Sequence, residues 1–216
     1  MHSTLVLLIG EFKRLLEYKI AAASVVVALI WIGVLYLTEV PDITFIFPML
    51  IFIDATSMAI LMVGVIIFFE KQEGSLKALL VSPISKCDYL LSKIVITICS
   101  SIITLIILYL YSALFKEISL NFFGLLGAVI LVALFHSLVG LILSYYSKDF
   151  TSLLMNMMKY VFIFFIPTLF EYLDLFSNEL VANLLYITPT KAALLLFTAP
   201  AGTVGAGELL YALIYM

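Results

Sequence analysis

Charged residues are scarce in this chain, and their scarcity excludes an ordinary water-soluble domain. Only 12% of the 216 residues are Asp, Glu, Lys or Arg, whereas 65% are hydrophobic. A soluble domain carries about 25% charged residues, and one small core cannot hide so much apolar surface. Lipid is the natural solvent for such a chain. The net charge of −3 is small and says little about partners.

Residues for metal binding, disulfides and catalysis are equally sparse. The two cysteines, Cys87 and Cys99, fall on a polar loop and inside an apolar run, so a disulfide between them is not expected. No CxxC or Cys/His cluster indicates a metal site. No G-x-x-x-x-G-K-[ST] motif for nucleotide binding occurs. Without a Ser/His/Asp set or paired carboxylates, we expect that the chain is not an enzyme.

The chain contains instead a series of long apolar runs, each near the ~20 residues that a helix needs to cross a bilayer. They predict an all-α membrane protein with six transmembrane helices in one domain over residues 1–216. The predicted spans are residues 20–38, 44–69, 92–115, 121–146, 151–170 and about 203–216. The last run reaches only the lower edge of a span, so we expect either a tilted last helix or a chain that continues.

Two other apolar segments do not read as plain spans. Residues 4–19 place apolar side chains on one helical face and charges around the other, which predicts an amphipathic interfacial helix. The alternative is the first turn of a longer span. Residues 171–200 contain two short apolar patches split by Thr188-Pro189-Thr190. They predict an external re-entrant helical hairpin before the last span, with a surface-lying helix pair as the alternative.

Lysine and arginine are distributed unevenly between the two sides of these spans. If the N-terminus is cytoplasmic, eight of them lie inside, whereas Lys116 and Lys191 lie outside and Lys159 falls within the fifth span. Positive charge accumulates in cytoplasmic loops. The asymmetry predicts a multi-pass protein of the plasma membrane with both termini cytoplasmic.

The cytoplasmic connection between the second and third spans, residues 70–91, carries the clearest local pattern. Gly74 marks the exit from the second span, and a short amphipathic helix follows until Pro83 stops it. Ser85 with Asp88 three residues later resembles a capping box that opens the third span. The apolar face of the short helix consists of Leu76, Leu79 and Leu80.

This connection resembles the signature of type-2 ABC (ABC-2) exporter permeases, roughly E-x-G-[ST]-L-[ED]-x-L-L-x-[ST]-P followed by Leu-Leu-x-x-Lys. The layout of the whole chain is similar to that family too, and so is Phe47-Pro48 near the start of the second span. One departure is Lys77, where the family has an acidic residue. The runs that carry the resemblance are Glu73-Gly74-Ser75-Leu76, Leu79-Leu80-Val81-Ser82-Pro83 and Tyr89-Leu90-Leu91-Ser92-Lys93.

In that family the short cytoplasmic helix is the coupling helix, which docks on a separate ABC ATPase subunit. The resemblance implies that ATP and Mg²⁺ bind that partner and that this chain carries no cofactor. Six spans are too few to enclose a wide pathway alone, so we also expect a dimer with a second permease copy or a homologous permease. The implied coupling residues are Glu70, Glu73, Gly74, Leu76, Leu79, Leu80 and Pro83. The alternative is that the leucines only anchor the loop to the lipid surface.

Three ionisable residues fall inside the predicted spans, where such groups are rare and usually face the bundle interior. They are Asp54, His136 and Lys159. We interpret them as candidates for the translocation path, in which Asp54 could pair with Lys159. The alternative is structural: a buried pair, a lysine that snorkels to the interface and a histidine hydrogen-bonded between helices.

Small residues recur along one side of the fourth predicted span. Where lipid removes the hydrophobic drive for association, small side chains let two helices approach closely. The stripe therefore predicts tight packing and carries no information on the substrate. Its members are Ala133, Ser137, Gly140 and Ser144.

The resemblance implies a transmembrane permease subunit that exports its substrate with a separate ATPase. The 14% aromatic content suits an amphipathic or lipophilic substrate such as a drug, antibiotic, peptide or lipid. The haem-exporter membrane subunit of cytochrome c maturation is a narrower relative of similar compactness. One alternative is a non-transporting membrane scaffold or regulatory protein that binds a cytoplasmic partner through residues 70–91, and another is a membrane-embedded enzyme. Membrane lipid is an expected neighbour, and nucleic acid is not.

Overall fold

The computed structural model describes residues 9–10, 12–13, 20–37, 39–74, 85–175 and 179–216. Their regular structure is helical, which confirms the all-α prediction for this part of the chain. The long helices α1 to α4 are Ile20–Leu37, Ile46–Gln72, Lys86–Phe115 and Phe122–Tyr146. Helix α5, Phe150–Tyr160, continues through a π-helical segment, Val161–Phe165, into α6, Ile166–Tyr172. The remaining helices α7, α8 and α9 are Glu179–Leu185, Pro189–Thr198 and Ala206–Tyr215, and a 3₁₀ turn, Ala199–Ala201, follows α8.

Within the described residues, four helices are long and apolar enough to cross a membrane, so the chain is a multi-pass membrane protein. They are Ile46–Gln72, Lys86–Phe115, Phe122–Tyr146 and the continuous stretch Phe150–Tyr172. A fifth crossing results if Glu179–Leu185 and Pro189–Ala201 count as one bent span. The first and last predicted spans also have helices, but their apolar stretches, Ser24–Leu37 and Ala206–Tyr215, are shorter than a full span. The count of six spans is therefore not confirmed.

The predicted interfacial helix over residues 4–19 is described at four positions. Ile9, Gly10, Phe12 and Lys13 are helical and exposed. The other residues of this prediction lie outside the described residues, so the interfacial helix stays a prediction.

The two ends of the bundle are named after the predicted orientation. The inner end carries the last turns of α2 and α4 and the first turns of α3 and α5, and the outer end carries the loops before α2 and α4. The two outer loops are joined by backbone hydrogen bonds. Ile43 N–H donates to the Glu117 carbonyl at 3.1 Å, and Glu117 N–H donates to the Pro41 carbonyl at 2.9 Å.

Helices α2 and α4 form the most extensive helix contact, as the small-residue stripe of the fourth span predicts. All four residues of the stripe are buried. A Cβ placed on Gly140 would lie 2.6 Å from the Ile60 carbonyl oxygen, and one placed on Gly64 would lie 3.2 Å from the Gly140 carbonyl oxygen. Because the Ile60 carbonyl oxygen is a backbone atom, only glycine at position 140 lets the two helices approach so closely.

Side-chain caps mark the beginning of α3, α4 and α5. Ser85 Oγ accepts a hydrogen bond from Asp88 N–H at 3.1 Å, which confirms the predicted cap at the start of α3. The Asn121 side chain caps α4, and Asp149 Oδ1 accepts from Ser152 N–H at 2.6 Å at the start of α5. Each cap satisfies an amide that has no carbonyl partner within its own helix.

Helix α8 is buried from Thr190 to Thr198. It follows α7 after a bend of 91°, and Thr188 caps its start, so the break falls where Thr188-Pro189-Thr190 predicts it. Two short helices therefore occupy the segment predicted as a hairpin, residues 171–200. The bend fits a broken span as well as a re-entrant loop, and the re-entrant hairpin is not confirmed.

A π-helical segment, Val161–Phe165, interrupts the last long helix just before Pro167. Proline has no amide hydrogen, so the regular ladder cannot continue through it. The Phe164 carbonyl accepts from the hydroxyls of Thr168 and Thr190, both at 2.8 Å. Because Thr190 belongs to α8, the buried helix supports this irregular turn.

Candidate functional site

Helix α2 ends where the predicted coupling segment begins. Glu73 N–H donates to the Phe69 carbonyl at 2.9 Å, and Gly74 N–H donates to the Lys71 carbonyl at 3.4 Å. Gly74 has φ of +77°, a left-handed conformation that disfavours residues with a Cβ. The Glu73 side chain is exposed beside this turn. The predicted exit from the second span at Gly74 is confirmed.

Residues 75–84 lie outside the described residues. Leu76, Leu79, Leu80 and Pro83 belong to this stretch, so their role in coupling stays a prediction. The residues on either side of it are described, and they reveal how its two ends are held.

A buried ion pair joins α2 to α3 on either side of that stretch. Glu70 Oε1 lies 2.7 Å from Lys93 Nζ, and the Tyr89 hydroxyl donates to the other carboxylate oxygen of Glu70. The Lys93 ammonium also lies 4.9 Å from the Tyr89 ring centroid, within cation–π range. None of the three residues is more than 9% exposed. We refer to Glu70, Tyr89 and Lys93 as the inner clamp.

The inner clamp holds two charges that would be costly apart. Lys93 is the eighth residue of α3, roughly 10 Å from the start of that helix. A charge at that depth needs a partner, because removing one member of a buried pair leaves the other uncompensated. The sequence assigned Glu70 a polar contact with the ATPase. Its carboxylate contacts Lys93 of α3, and its contact with the ATPase stays a prediction.

Lys71, next to Glu70, links other helix ends at the inner side. Its Nζ lies 3.3 Å from the Ser147 carbonyl, just beyond α4, where a cation is favourable beside the last carbonyls of a helix. Asn156 of α5 donates to Ser147 Oγ at 3.1 Å. These contacts connect α2, α4 and α5 around one point at the inner end.

Asp54 of α2 faces the interior of the bundle and is 4% exposed. Trp31 Nε1 of α1 donates to Asp54 Oδ1 at 3.2 Å. Helix α1 is held a second time by a 2.6 Å hydrogen bond between the hydroxyls of Ser24 and Ser100. Asp54 therefore lies at the interface of α1 with the rest of the bundle.

His136 of α4 is fully buried. Its Nδ1 lies 2.9 Å from the Val132 carbonyl one turn earlier, so this contact is within one helix and not between helices. Its ring meets the Tyr160 ring edge-on, with centroids 6.0 Å apart. In the part of the chain that the structure describes, His136 Nε2 and the Tyr160 hydroxyl have no hydrogen-bond partner.

Lys159 lies on the exposed side of α5. The ion pairs among the described residues do not include it, and it does not pair with Asp54. No hydrogen bond or ion pair between described residues joins any two of Asp54, His136 and Lys159. The structure therefore does not assemble the three candidates into one site, and their place in a translocation path stays a prediction.

A second ion pair lies toward the outer end. Lys191 Nζ lies 2.6 Å from each carboxylate oxygen of Glu171 and 5.3 Å from the Tyr186 ring centroid. The lysine and glutamate side chains are 9% and 21% exposed. The Tyr186 hydroxyl donates to Glu208 Oε1 at 2.8 Å. We refer to Glu171, Tyr186 and Lys191 as the outer clamp, which joins α6 to α8 and, through Glu208, to α9.

The sequence-based interpretation gave no role to Tyr89, Lys93 or Trp31. A signal for Lys93 was present, because Glu70 directly follows the predicted second span and Lys93 is the second residue of the predicted third span. Two opposite charges at matching depth on consecutive spans predict a pair. No comparable signal identifies Trp31, since any helix face could have turned toward Asp54.

Comparison with known proteins gives one match. The family model described as ABC-2 type transporter matches residues 4–199, which include both clamps and the stretch between α2 and α3. Neither a curated protein nor a solved structure gives a match to the chain. The match covers more than half of the chain and therefore identifies its family.

Proposed function

The chain belongs to the ABC-2 type transporter family, and on that premise we propose that it is the transmembrane permease subunit of an ATP-driven exporter. In this proposal it lies in the plasma membrane with both termini cytoplasmic. A separate ATPase subunit binds ATP and Mg²⁺, and a second permease copy or a homologous permease completes the transport path. The substrate is amphipathic or lipophilic. The observation that carries the proposal is the family match over a bundle of membrane-crossing helices.

Residues 75–84 form the contact with the ATPase in this proposal. The inner clamp supports that role, because it joins the last turns of α2 to the first turns of α3 across a buried ion pair. A push on the intervening stretch would then move both helices together. ATP binding favours one arrangement of the two permeases, and the coupled helices carry that preference into the membrane as a population shift.

Co-purification with the ATPase subunit tests the coupling contact. Leu79→Asp is expected to abolish association and stimulation of ATP hydrolysis, because a carboxylate would replace an apolar side chain in a docking surface. Leu175→Asp is the matched control, since Leu175 is exposed at the outer side. Association that survives Leu79→Asp would count against the coupling role.

The scaffold alternative predicts a different result from the same preparation. A scaffold binds the cytoplasmic partner but leaves its rate of ATP hydrolysis unchanged. An exporter stimulates ATP hydrolysis and moves amphipathic dyes across proteoliposome membranes in an ATP-dependent manner. Association without stimulation and without dye movement would favour the scaffold.

Asp54→Asn tests the translocation path. Asparagine keeps an oxygen that can accept from Trp31 Nε1 but carries no charge, so assembly should be retained and ATP-dependent export should fall. Asp42→Asn, on the exposed outer loop, is the control with the same chemical change. Wild-type export by Asp54→Asn would rule out an essential role for this carboxylate.

A further inference from the structure

Lys159 places a positive charge on the exposed side of the least buried of the four long membrane helices. It is the tenth residue of α5, so its Cα lies roughly 14 Å from the start of that helix. An ammonium group at such a depth is costly unless it snorkels to the interface or an anion approaches it. The extended side chain is about 6 Å long, so its ammonium group can approach the lipid head groups while its aliphatic stem stays among apolar side chains.

The surroundings of Lys159 on the exposed side are apolar and adaptable. Met155 lies one turn before it on α5, and Phe162 and Ile163 follow it in the π-helical segment. These three side chains are 55%, 60% and 59% exposed. Methionine adapts to ligands of irregular shape. We refer to Met155, Lys159, Phe162 and Ile163 as the α5 stripe, which presents one cation among apolar groups.

The four long membrane helices of a second copy offer no suitable carboxylate to Lys159. The carboxylates within the four long helices are Asp54, Glu70, Asp88 and Glu171. Asp54 and Glu70 are buried and hydrogen-bonded inside their own bundle. Asp88 lies in the first turn of α3, and Glu171 pairs with Lys191 toward the outer end. Among the described helices, none of these is an exposed carboxylate at the depth of Lys159.

We propose that the α5 stripe binds an amphiphile with an anionic head group, and that the transported substrate belongs to this class. The head group lies against Lys159, and the apolar body lies along Met155, Phe162 and Ile163. This inference rests on the proposed exporter function and narrows its substrate from amphipathic molecules in general to anionic ones.

Photolabelling of the full chain in phosphatidylcholine nanodiscs tests the site. The probes are phosphatidylglycerol and phosphatidylcholine, each with a photoreactive diazirine on the same acyl chain. The anionic probe is expected to label residues 150–165 preferentially. Lys159→Gln should reduce that labelling about fivefold, the factor expected for one basic side chain near an anionic lipid head group. Lys159→Arg should retain it.

Lys148→Gln is the matched control, because Lys148 is exposed in the connection between α4 and α5, outside both helices. Labelling by the anionic probe should change less than about twofold in this variant. Equal labelling of residues 150–165 by both probes, or unchanged labelling in Lys159→Gln, would overturn the proposed site.

A transport assay with the same lipid classes shows whether the bound lipid is a substrate or only stays bound to the protein. In proteoliposomes with the ATPase subunit, fluorescent phosphatidylglycerol should move between leaflets with ATP faster than fluorescent phosphatidylcholine, and Lys159→Gln should abolish this preference. Labelling without ATP-dependent movement would overturn the substrate class. Weaker permease–permease association in Lys159→Gln, with unchanged labelling, would overturn the proposal in favour of a protein contact.

Failure of the exporter function gives a distinct result. If the wild-type chain does not associate with the ATPase, the proposed function is wrong, and the photolabelling still decides whether the α5 stripe binds an anionic amphiphile.

Discussion

The inner and outer clamps use the same three groups, a glutamate, a lysine and a tyrosine ring beside the lysine, in different surroundings. In the inner clamp the tyrosine hydroxyl donates to the paired carboxylate, so Glu70, Tyr89 and Lys93 satisfy one another. In the outer clamp the hydroxyl of Tyr186 donates away from the pair, to Glu208. The inner clamp joins two helices, whereas the outer one connects three.

Burial separates the two clamps further. The lysine and glutamate side chains are 1% and 11% exposed in the inner clamp, against 9% and 21% in the outer one. Water and salt weaken an ion pair that they can reach, whereas a buried charge that loses its partner has no substitute. We therefore expect the inner ion pair to hold its helices together more strongly than the outer ion pair does, and to be less sensitive to salt.

The largest effect is expected from breaking the inner clamp with Lys93→Met. The Glu70 charge would stay buried without its cation, which costs about 3–5 kcal/mol of unfolding free energy. The measurement is the unfolding midpoint of the purified protein in detergent. The double variant Glu70→Gln/Lys93→Met removes both charges and should recover most of the loss. Equal stability of the single and double variants would contradict the buried-pair interpretation.

The next largest effect is expected from Gly140→Ala, which disturbs the packing of α2 against α4 and leaves the residues of both clamps unchanged. The added methyl would meet the Ile60 carbonyl oxygen at 2.6 Å, so the helices must separate, at a cost of about 1–3 kcal/mol. Gly127→Ala on the same helix is the control, because no heavy atom lies within 4 Å of its added Cβ. Thermal unfolding that ranks the two variants alike would argue against backbone contact at Gly140.

A smaller effect is expected from breaking the outer clamp with Glu171→Gln. Because Glu171 is partly exposed, its loss should cost less unfolding free energy than that of Lys93, and the difference from wild type should shrink in high salt. The Lys93→Met effect should be nearly independent of salt. Unfolding of both variants in low and high salt checks this contrast, and equal salt dependence would erase the distinction between the clamps.

The smallest effect is expected from Tyr186→Phe. The phenyl ring still lies beside Lys191, so only the hydrogen bond to Glu208 is removed, at a cost of about 0.5 kcal/mol. Tyr36→Phe, at an exposed tyrosine, provides the baseline for a lost hydroxyl. A loss as large as that of Glu171→Gln would mean that the link to α9 matters as much as the ion pair itself.

The positions of the long helices were predictable because runs of apolar residues mark the parts of the chain that lie in the hydrocarbon region of a membrane. The second span was predicted over residues 44–69 and α2 covers Ile46–Gln72, so its bounds agree within a few residues. Helix α3 begins earlier than its apolar run, at Lys86, because Ser85 caps a polar first turn. Polar turns at helix ends add residues that hydropathy alone leaves out.

The direction in which each side chain points was not predictable by the same means. Helices α2 and α4 are apolar on all sides, so no face is marked as the one that packs against protein. For that reason the sequence could not predict that Asp54 of α2 meets Trp31. The small-residue stripe was the exception, because small size itself marks a contact face.

The close contact between Gly64 and Gly140 divides α2 into two unequal arms. The arm toward Gln72 has about 8 residues, or ~12 Å, and the arm toward Ile46 has about 18, or ~27 Å. A stiff rod that rests on a fulcrum moves its two tips in opposite directions, in proportion to their distances from it. If α2 tilts about this contact, a small displacement of its end beside residues 75–84 would therefore produce a displacement about twice as large at its outer end.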